Sequence, residues 1–183
     1  DRINLDPKRK YNHLLRVALN KNTISISLRK RIKPKLNFNL KLVKLKRNKP
    51  EFKNLKYKEI LSYLYKMDNS KSDIGLCSNK KIYETGTSNI FFIKDNKVFS
   101  PKKNYYRGIT YKFFNSKIKK IIQKNILISS LEKFDEIILI GSGKGVASVK
   151  TINQIKWKRK SLRFYKLLNN HYSLAVNRNA IFK

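Results

Sequence analysis

The sequence predicts a mixed protein of the α/β or α+β class, because strand patterns and helix patterns alternate along one chain. Three observations support this prediction. Residues 36–46 alternate apolar and polar side chains, Ile137–Ile140 form an apolar run, and residues 52–65 carry apolar side chains at roughly helical spacing. The chain has 183 residues and is 40% hydrophobic, which is enough for one domain, or one domain plus part of another, with a real core.

The first third of the chain has mainly strand patterns. The segments LLRVAL and TISISLR are rich in β-branched and apolar residues, and the polar residues 20–22 between them suit a hairpin turn. The alternating strand at 36–46 follows. A polar stretch that ends in proline, residues 47–50, predicts a hinge or linker, and the helical pattern at 52–65 comes next.

The rest of the chain alternates strands with helices. Short strands are predicted at Asp73–Cys77, Ile90–Lys94 and Lys97–Ser100, with a turn at residues 95–96. Thr110 is predicted to cap a helix whose inward apolar residues extend to position 122. A buried strand at 136–140 leads into GSGKG, and residues 161–168 predict a last helix.

The net charge of +33 allows two interpretations. A strongly basic chain can bind nucleic acid, since its cations release the counterions of the phosphate backbone. Biased coding is the alternative, because 34 lysines stand against only 10 arginines and are spread along the chain. An RNA- or ribosome-associated protein therefore stays open as a second class of function.

The composition also limits the chemistry. A single cysteine, Cys77, excludes an intrachain disulfide and multi-cysteine metal sites, and the presence of only two histidines argues against a histidine metal centre, so no metal is expected. No apolar run approaches the length of a membrane span, and the start of the sequence lacks the apolar stretch of a signal peptide. We expect no membrane partner and a cytoplasmic location.

Five of the six glycines fall into three short clusters, in YETGTSNIFF, RGIT and ILIGSGKGVASV. Glycine lets the backbone turn sharply or approach a ligand closely. Because each cluster stands beside hydroxyl residues, we expect the three to form one shared site for an anion or a cofactor.

Each cluster alone has an ordinary interpretation as well. GSGKG is not a P-loop, because Ile138 and Gly145 replace the glycine and the hydroxyl residue that the motif needs, so it is either an anion-binding turn or a plain one. RGIT either offers the N–H groups of Ile109 and Thr110 to phosphate or simply starts a helix. Glu84 is either a surface residue or a buried carboxylate that needs a cationic partner or a proton.

In this order, the segments resemble the class-IV pyridoxal-phosphate enzymes, which include branched-chain and D-amino-acid aminotransferases and aminodeoxychorismate lyase. The matching segments are YETGTSNIFF, KDNKVFSP, YRGITY and KFDEIILIGSGKG, and the resemblance covers roughly residues 45–165. It implies an α+β fold of two domains, an N-terminal α/β sandwich and a C-terminal barrel-like α/β domain, with pyridoxal 5'-phosphate as cofactor.

The resemblance also implies roles for individual residues. Lys56 would form the Schiff base with the cofactor, and Lys58 is its competitor; Lys56 is preferred because it follows the apolar Leu55 at the start of a helical stretch. Glu84 would keep the pyridine nitrogen protonated. The cofactor phosphate would be bound by Gly108, Ile109, Thr110 and Ser142. The substrate carboxylate would be bound by Gly143 and Lys144.

The activity implied is that of aminodeoxychorismate lyase, which forms 4-aminobenzoate and pyruvate through an aldimine on Lys56. GSGKG is similar to the Asn-Ser-x-Arg-Gly loop of lyase domains, with Lys144 in place of the arginine, whereas branched-chain aminotransferases carry Gly-Thr-Ala-Ala-Glu. A branched-chain or D-amino-acid aminotransferase is the close alternative, and either activity takes a small amino substrate.

The family's first part is not recognised in this sequence. Residues 1–46 are therefore expected to be a remnant of the small N-terminal domain, and residues 47–183 the cofactor domain. The resemblance further implies a homodimer with sites near the subunit interface.

Overall fold

The computed structural model of the chain describes residues 13–54 and 56–179. It contains three α-helices, two short 3-10 helices (Ile128–Lys133 and Asn153–Ile155) and twelve strands in that part of the chain. The helices are α1 (Lys58–Leu64), α2 (Ile109–Lys117) and α3 (Arg163–Asn179). The strands are β1 (His13–Leu19), β2 (Ile24–Lys30), β3 (Phe38–Lys44), β4 (Ser72–Ser78), β5 (Lys81–Thr85), β6 (Asn89–Lys94), β7 (Lys97–Pro101), β8 (Ile121–Lys124), β9 (Ile126–Leu127), β10 (Glu136–Gly141), β11 (Gly145–Ile152) and β12 (Trp157–Lys158).

Ten of these strands form one mixed sheet in the order β8-β7-β6-β10-β11-β3-β4-β5-β9, with β12 paired to β11. The pairs β7–β8, β11–β3 and β3–β4 are parallel, and the remaining pairs are antiparallel. This mixture of strands and helices confirms the predicted α+β class.

The central strands are buried on both faces. In β6, Ile90 and Phe92 belong to one core cluster while Phe91 and Ile93 belong to the other, and β10 divides its side chains in the same way. Alternate residues of a strand point to opposite faces, so a strand covered on both sides needs an unbroken apolar run. This explains the sequences NIFFI and IILI.

Strands β1 and β2 form a separate two-stranded sheet. Its outer face is an exposed apolar ladder made by three cross-strand pairs, Leu15–Leu28, Val17–Ile26 and Leu19–Ile24. Its inner face lies on the body of the protein, where Leu14 approaches Gly143 and Arg16 contacts the hydroxyl of Tyr57 at 3.5 Å. The hairpin thus lies over the GSGKG turn and the start of α1.

Most predicted elements are confirmed, including the hairpin turn at 20–22 and the strand in 36–46. The last helix, predicted at 161–168, is confirmed as α3 but continues to Asn179. The turn at residues 95–96 is confirmed by positive φ angles of 49° and 58°, which match a tight hairpin turn. The helix predicted over residues 52–65 is confirmed only as the shorter α1.

Two predictions around α2 are wrong. Gly108, not Thr110, is the N-cap, since Thr110 already lies inside the helix. The helix also ends at Lys117, and the apolar residues 121 and 122 belong to strand β8 beside β7. The spacing of Ile118, Ile121 and Ile122 fits a helix, but residues 121 and 122 form a strand because β7 supplies backbone hydrogen bonds to them.

The predicted domain boundary at residue 46 follows directly after β3. This strand pairs with β4 on one side and with β11 on the other, and both of these strands come after the boundary in the sequence. The boundary stays a prediction. The start of the first predicted domain, residues 1–12, and the end of the second, residues 180–183, lie outside the described residues, as does Leu55. Within the described part of the chain, no helix is long and apolar enough to span a membrane.

Candidate active site

The three glycine clusters lie together, as their composition predicts. A Cβ placed on Gly141 would lie 3.1 Å from the Ser88 hydroxyl, so the GSGKG segment packs against the turn that follows Glu84. The Gly108 amide donates a hydrogen bond of 3.1 Å to the side-chain oxygen of Asn89, which joins RGIT to the same turn. Segments that are far apart in sequence therefore meet around residues 85–89, which we call the Glu84 turn.

Glu84 stands near the end of β5, buried, with an ionic partner. Arg47 Nε donates to Glu84 Oε1 at 3.0 Å. Burial raises the pKa of the Glu84 carboxyl from 4.5 to about 7, although Arg47 and the Tyr106 amide lower it. Of the two interpretations from the sequence, the structure favours the buried carboxylate.

The residue that sequence reasoning missed here is Arg47. Its side chain bonds Glu84 and donates a second hydrogen bond of 3.2 Å from Nη2 to the Gly86 carbonyl. In the sequence it falls in the polar stretch interpreted as a linker. Its identity was the available signal, because arginine is scarce in this lysine-rich chain and is the cation best suited to a buried carboxylate.

Asn89 orients the start of α2. Its amide nitrogen donates to the Tyr106 carbonyl at 2.6 Å, and its oxygen accepts from Gly108. The first turn of α2 begins at Ile109, which is 72% exposed, while Thr110 is 5% exposed. Among the described residues no side chain bonds the amides of Ile109 and Thr110, so these two amides, unlike that of Gly108, are directed to solvent or to a ligand.

The GSGKG segment forms the three-residue turn between β10 and β11, with Gly141 opposite Gly145. Ser142 is exposed, and a Cβ on Gly143 would meet, among the residues that the structure describes, only Leu14, at 3.7 Å. Gly145 has a φ of +73°, a conformation that glycine adopts without strain. The turn is tight and leaves its backbone open at residues 142 and 143.

The ammonium of Lys144 does not lie where its predicted role requires. We expected its ammonium to face a substrate carboxylate, but it is buried and donates to Asp73 Oδ2 at 2.9 Å. Asp73 was predicted only as the first residue of a strand, and it is fully buried. The signal that could have identified it is a charge in the otherwise apolar strand DIGLC, which requires a partner.

Lys56 is exposed and lies two residues before α1. Its backbone amide bonds the Asn54 side chain, and Ile60, one turn further on, lies 3.3 Å from a Cβ placed on Gly86. The helix start is therefore close to the Glu84 turn. Among the described residues no hydrogen bond or ion pair joins the Lys56 side chain to Glu84, and Lys58 is exposed as well.

A separate groove of about 540 Å³ lies between β3 and α1. Its lining includes Lys41, Lys44 and Lys66 but no residue of the glycine clusters. Elsewhere in the described residues, no group of three or more His, Cys, Asp or Glu side chains could hold a metal ion.

Comparisons with known structures show where this fold occurs. The chain superimposes on a protein assigned as a 4-amino-4-deoxychorismate lyase of Legionella pneumophila with a TM-score of 0.68 at 17% identity, covering 85% of this chain and 60% of that one. It matches the branched-chain aminotransferase of Thermoproteus uzoniensis with a TM-score of 0.70 at 15% identity, covering 88% and 60% of the two chains. A protein of Thermotoga maritima assigned as a branched-chain amino acid aminotransferase gives 0.66 at 18% identity, with 83% and 60% covered.

These similarities concern the fold, and the chain spans about three fifths of the length of each of these three proteins. No curated protein sequence is significantly similar to it. The family model for amino-transferase class IV matches residues 7–152, which is most of the sequence. The chain therefore belongs to the amino-transferase class IV family.

Proposed function

We propose that this chain forms the cofactor-binding part of a pyridoxal-phosphate enzyme with aminodeoxychorismate lyase activity. The observation that carries the proposal is the meeting of the three glycine clusters around the buried Glu84. Family membership supports the cofactor, and two neighbouring structures of the same fold, from Brucella abortus and Thermobaculum terrenum, are described as containing pyridoxal phosphate.

The donor set fits such a cofactor, which combines a phosphate with a protonated ring nitrogen. The uncapped start of α2 and the hydroxyl of Ser142 are donors that suit a phosphate. Glu84 is a carboxylate held in a low-dielectric setting by Arg47, which suits a cationic ring nitrogen. Glycine at 143 keeps the backbone of the GSGKG turn accessible, and glycine at 108 lets the Asn89 side-chain oxygen lie 3.2 Å from where a Cβ would stand.

When bound, the cofactor supplies a ring that accepts electrons from the substrate carbon. Lys56 Nζ would hold the cofactor covalently and then carry a proton to and from that carbon. Glu84 would accept the hydrogen bond of the ring nitrogen and keep its proton in place. The amides of Ile109 and Thr110 and the hydroxyl of Ser142 would hold the phosphate, and Gly108, whose own amide is bonded to Asn89, would line the same site.

The substrate would bind beside the GSGKG turn. Since the ammonium of Lys144 is engaged by Asp73, we propose that Gly143 and Lys144 contact the substrate carboxylate through backbone N–H groups. In the lyase reaction, Lys56 would remove a ring proton from the substrate, the ring C–O bond to the enolpyruvyl group would break as the ring becomes aromatic, and the released enol would take up a proton to become pyruvate. An amino-acid aminotransferase is the second candidate, because structures of that activity share the fold to a similar degree.

The test is chemical labelling of the lysine. The purified chain is mixed with pyridoxal phosphate and reduced with borohydride, and the modified residue is mapped by mass spectrometry. We expect one label per chain at Lys56, lost in Lys56→Ala and kept in the matched variant Lys58→Ala. A label at Lys58 would contradict the assignment of the lysine, and scattered labels over many lysines would contradict the proposed site.

A polyanion-binding role is a candidate from another class, favoured by the groove between β3 and α1, whose lining has three lysines against one acidic residue, Glu59. This role predicts RNA binding that weakens steeply as salt rises. Replacing Lys41, Lys44 and Lys66 together with glutamine would then reduce both RNA affinity and its salt dependence. Unchanged RNA binding in that variant would remove the groove from consideration.

A further inference from the structure

We propose that Asp73 and Lys144 form a buried clip that fixes the GSGKG turn against the Glu84 turn, and so position the groups that bind the cofactor phosphate. Both are positioning residues in this view, and Lys144 is not a substrate-binding cation. The inference rests on the proposed function for its ligand, but the clip itself is a feature of the chain without any ligand.

The ion pair is almost completely removed from water. The side chain of Lys144 is 4% exposed and that of Asp73 is 0% exposed, with 2.9 Å between Nζ and Oδ2. The ammonium also lies 4.9 Å from the centre of the Phe38 ring on β3. A buried ammonium that left its carboxylate would lose this compensation, so the direction of the Lys144 side chain is strongly fixed.

Asp73 binds the other turn with the same carboxylate. Oδ2 also accepts hydrogen bonds from Thr85 Oγ1 at 3.0 Å and Thr87 Oγ1 at 2.6 Å, and Oδ1 accepts from the Ile74 amide at 2.8 Å. Thr85 Oγ1 in turn accepts from the Ser88 amide at 2.9 Å. One carboxylate therefore connects β4, the turn after Glu84 and the turn after β10.

The connection runs next to the residues proposed to bind the cofactor. Lys144 follows Ser142 by two residues in a three-residue turn, and Thr85 is adjacent to Glu84. Gly141, at the base of the same turn, packs on Ser88. Moving the GSGKG turn away from the Glu84 turn would break the buried ion pair, so the pair restricts the relative position of the two.

The decisive variant is Lys144→Met, which keeps the length of the side chain and removes its charge. Lys150→Met is the matched control, because Lys150 lies on β11, the strand that Lys144 precedes, but is exposed. Two quantities are measured in each: the affinity for pyridoxal phosphate, and the amide hydrogen exchange of segments 85–89 and 141–145 without ligand.

We expect Lys144→Met to weaken pyridoxal phosphate binding by about tenfold and to speed exchange in both segments, since coupled neighbours contribute energies of this order. Lys150→Met should change neither. Wild-type exchange rates in Lys144→Met would overturn the clip. If the wild-type chain fails to bind pyridoxal phosphate, the proposed function is lost, whereas the clip is still decided by the exchange measurement.

The double variant Asp73→Asn, Lys144→Met distinguishes loss of the clip from general loss of folding. It leaves no uncompensated charge, so we expect it to fold even where Lys144→Met does not. Exchange in the two segments should still be faster than in the wild type, because the clip is absent. Wild-type protection of both segments in the folded double variant would contradict the inference.

Discussion

Asp73 and Glu84 are both buried carboxylates with a basic partner, yet their surroundings differ. Asp73 accepts hydrogen bonds from three side chains and one amide, and these donors come from three separate segments. Glu84 has Arg47 as its ionic partner, and burial still raises the pKa of its carboxyl to about 7. The first carboxylate is committed to holding the structure together, whereas the second changes its charge near neutral pH.

The difference shows how two acidic residues in one small region can have separate tasks. A carboxylate surrounded by donors organises the backbone around it, and its removal leaves several groups without partners. A buried carboxylate with fewer donors has a perturbed pKa, which is a property shared by many functional groups. The following predictions test this contrast, from the largest expected effect to the smallest.

Asp73→Ala should lower the free energy of unfolding by about 3–5 kcal/mol, since it leaves the Lys144 ammonium buried without a counter-charge. Urea denaturation measures the change. Glu132→Ala, at an exposed position, is the control and should leave the free energy of unfolding nearly unchanged. A loss below about 1 kcal/mol in Asp73→Ala would show that Asp73 is not the structural carboxylate.

Glu84 should make the folded protein less stable as the pH rises. Its pKa in the folded state is about 7 against 4.5 in the unfolded chain, so between these values the folded state binds more protons. Stability from this group is full below pH 4.5 and is lost as the pH rises through 7. Relative to Glu84→Gln, the wild type should lose about 2–3 kcal/mol between pH 5 and 8.5, measured by urea unfolding at each pH. Parallel curves for the two proteins would contradict this prediction.

Asn89→Ala should cost about 1–2 kcal/mol, because it leaves the Tyr106 carbonyl and the Gly108 amide without their side-chain partner. Gln123→Ala is a suitable comparison, since Gln123 is exposed and its side-chain bonds are long, 3.2 Å to Arg107 and 3.5 Å to the Tyr111 hydroxyl. Equal unfolding midpoints for the two variants would mean that Asn89 does not hold the start of α2.

Lys71→Met should leave the unfolding midpoint indistinguishable from that of the wild type. Its ion pair with Asp68 is 3.4 Å long, and both side chains are at least half exposed, so water screens the attraction. A clear loss of stability here would show that solvent exposure does not separate strong from weak ion pairs in this protein.

Much of the fold could be predicted from local patterns. The alternation of 36–46, the apolar run of β10 and the turn at residues 95–96 each reflect a single physical cause that acts within a few residues. The strands β5, β8, β9, β11 and β12 were not predicted. Four of them have only two to five residues, and in β11, which has eight, Ser148, Lys150 and Thr151 interrupt the apolar pattern. All five become strands because a neighbouring strand supplies the hydrogen bonds.

The site was predictable where glycine marked it and not where long-range charge pairing formed it. The three clusters and Glu84 stand out in the sequence, and the structure brings them together. The sequence could not show that Arg47 pairs with Glu84 or that Asp73 pairs with Lys144. The first two residues are 37 positions apart and the second two are 71 positions apart. Such pairs depend on the register of the whole sheet, which no local pattern specifies.

The most direct test of the contrast is a ¹³C NMR titration of the Glu84 carboxyl in the chain without cofactor, with Glu84→Gln used to assign the resonance. We predict a midpoint near pH 7, and a still higher midpoint in Arg47→Met because the lowering effect of the guanidinium is removed. A midpoint near 4.5 that does not respond to Arg47→Met would show that Glu84 is an ordinary carboxylate, and the proposed division of tasks would be wrong.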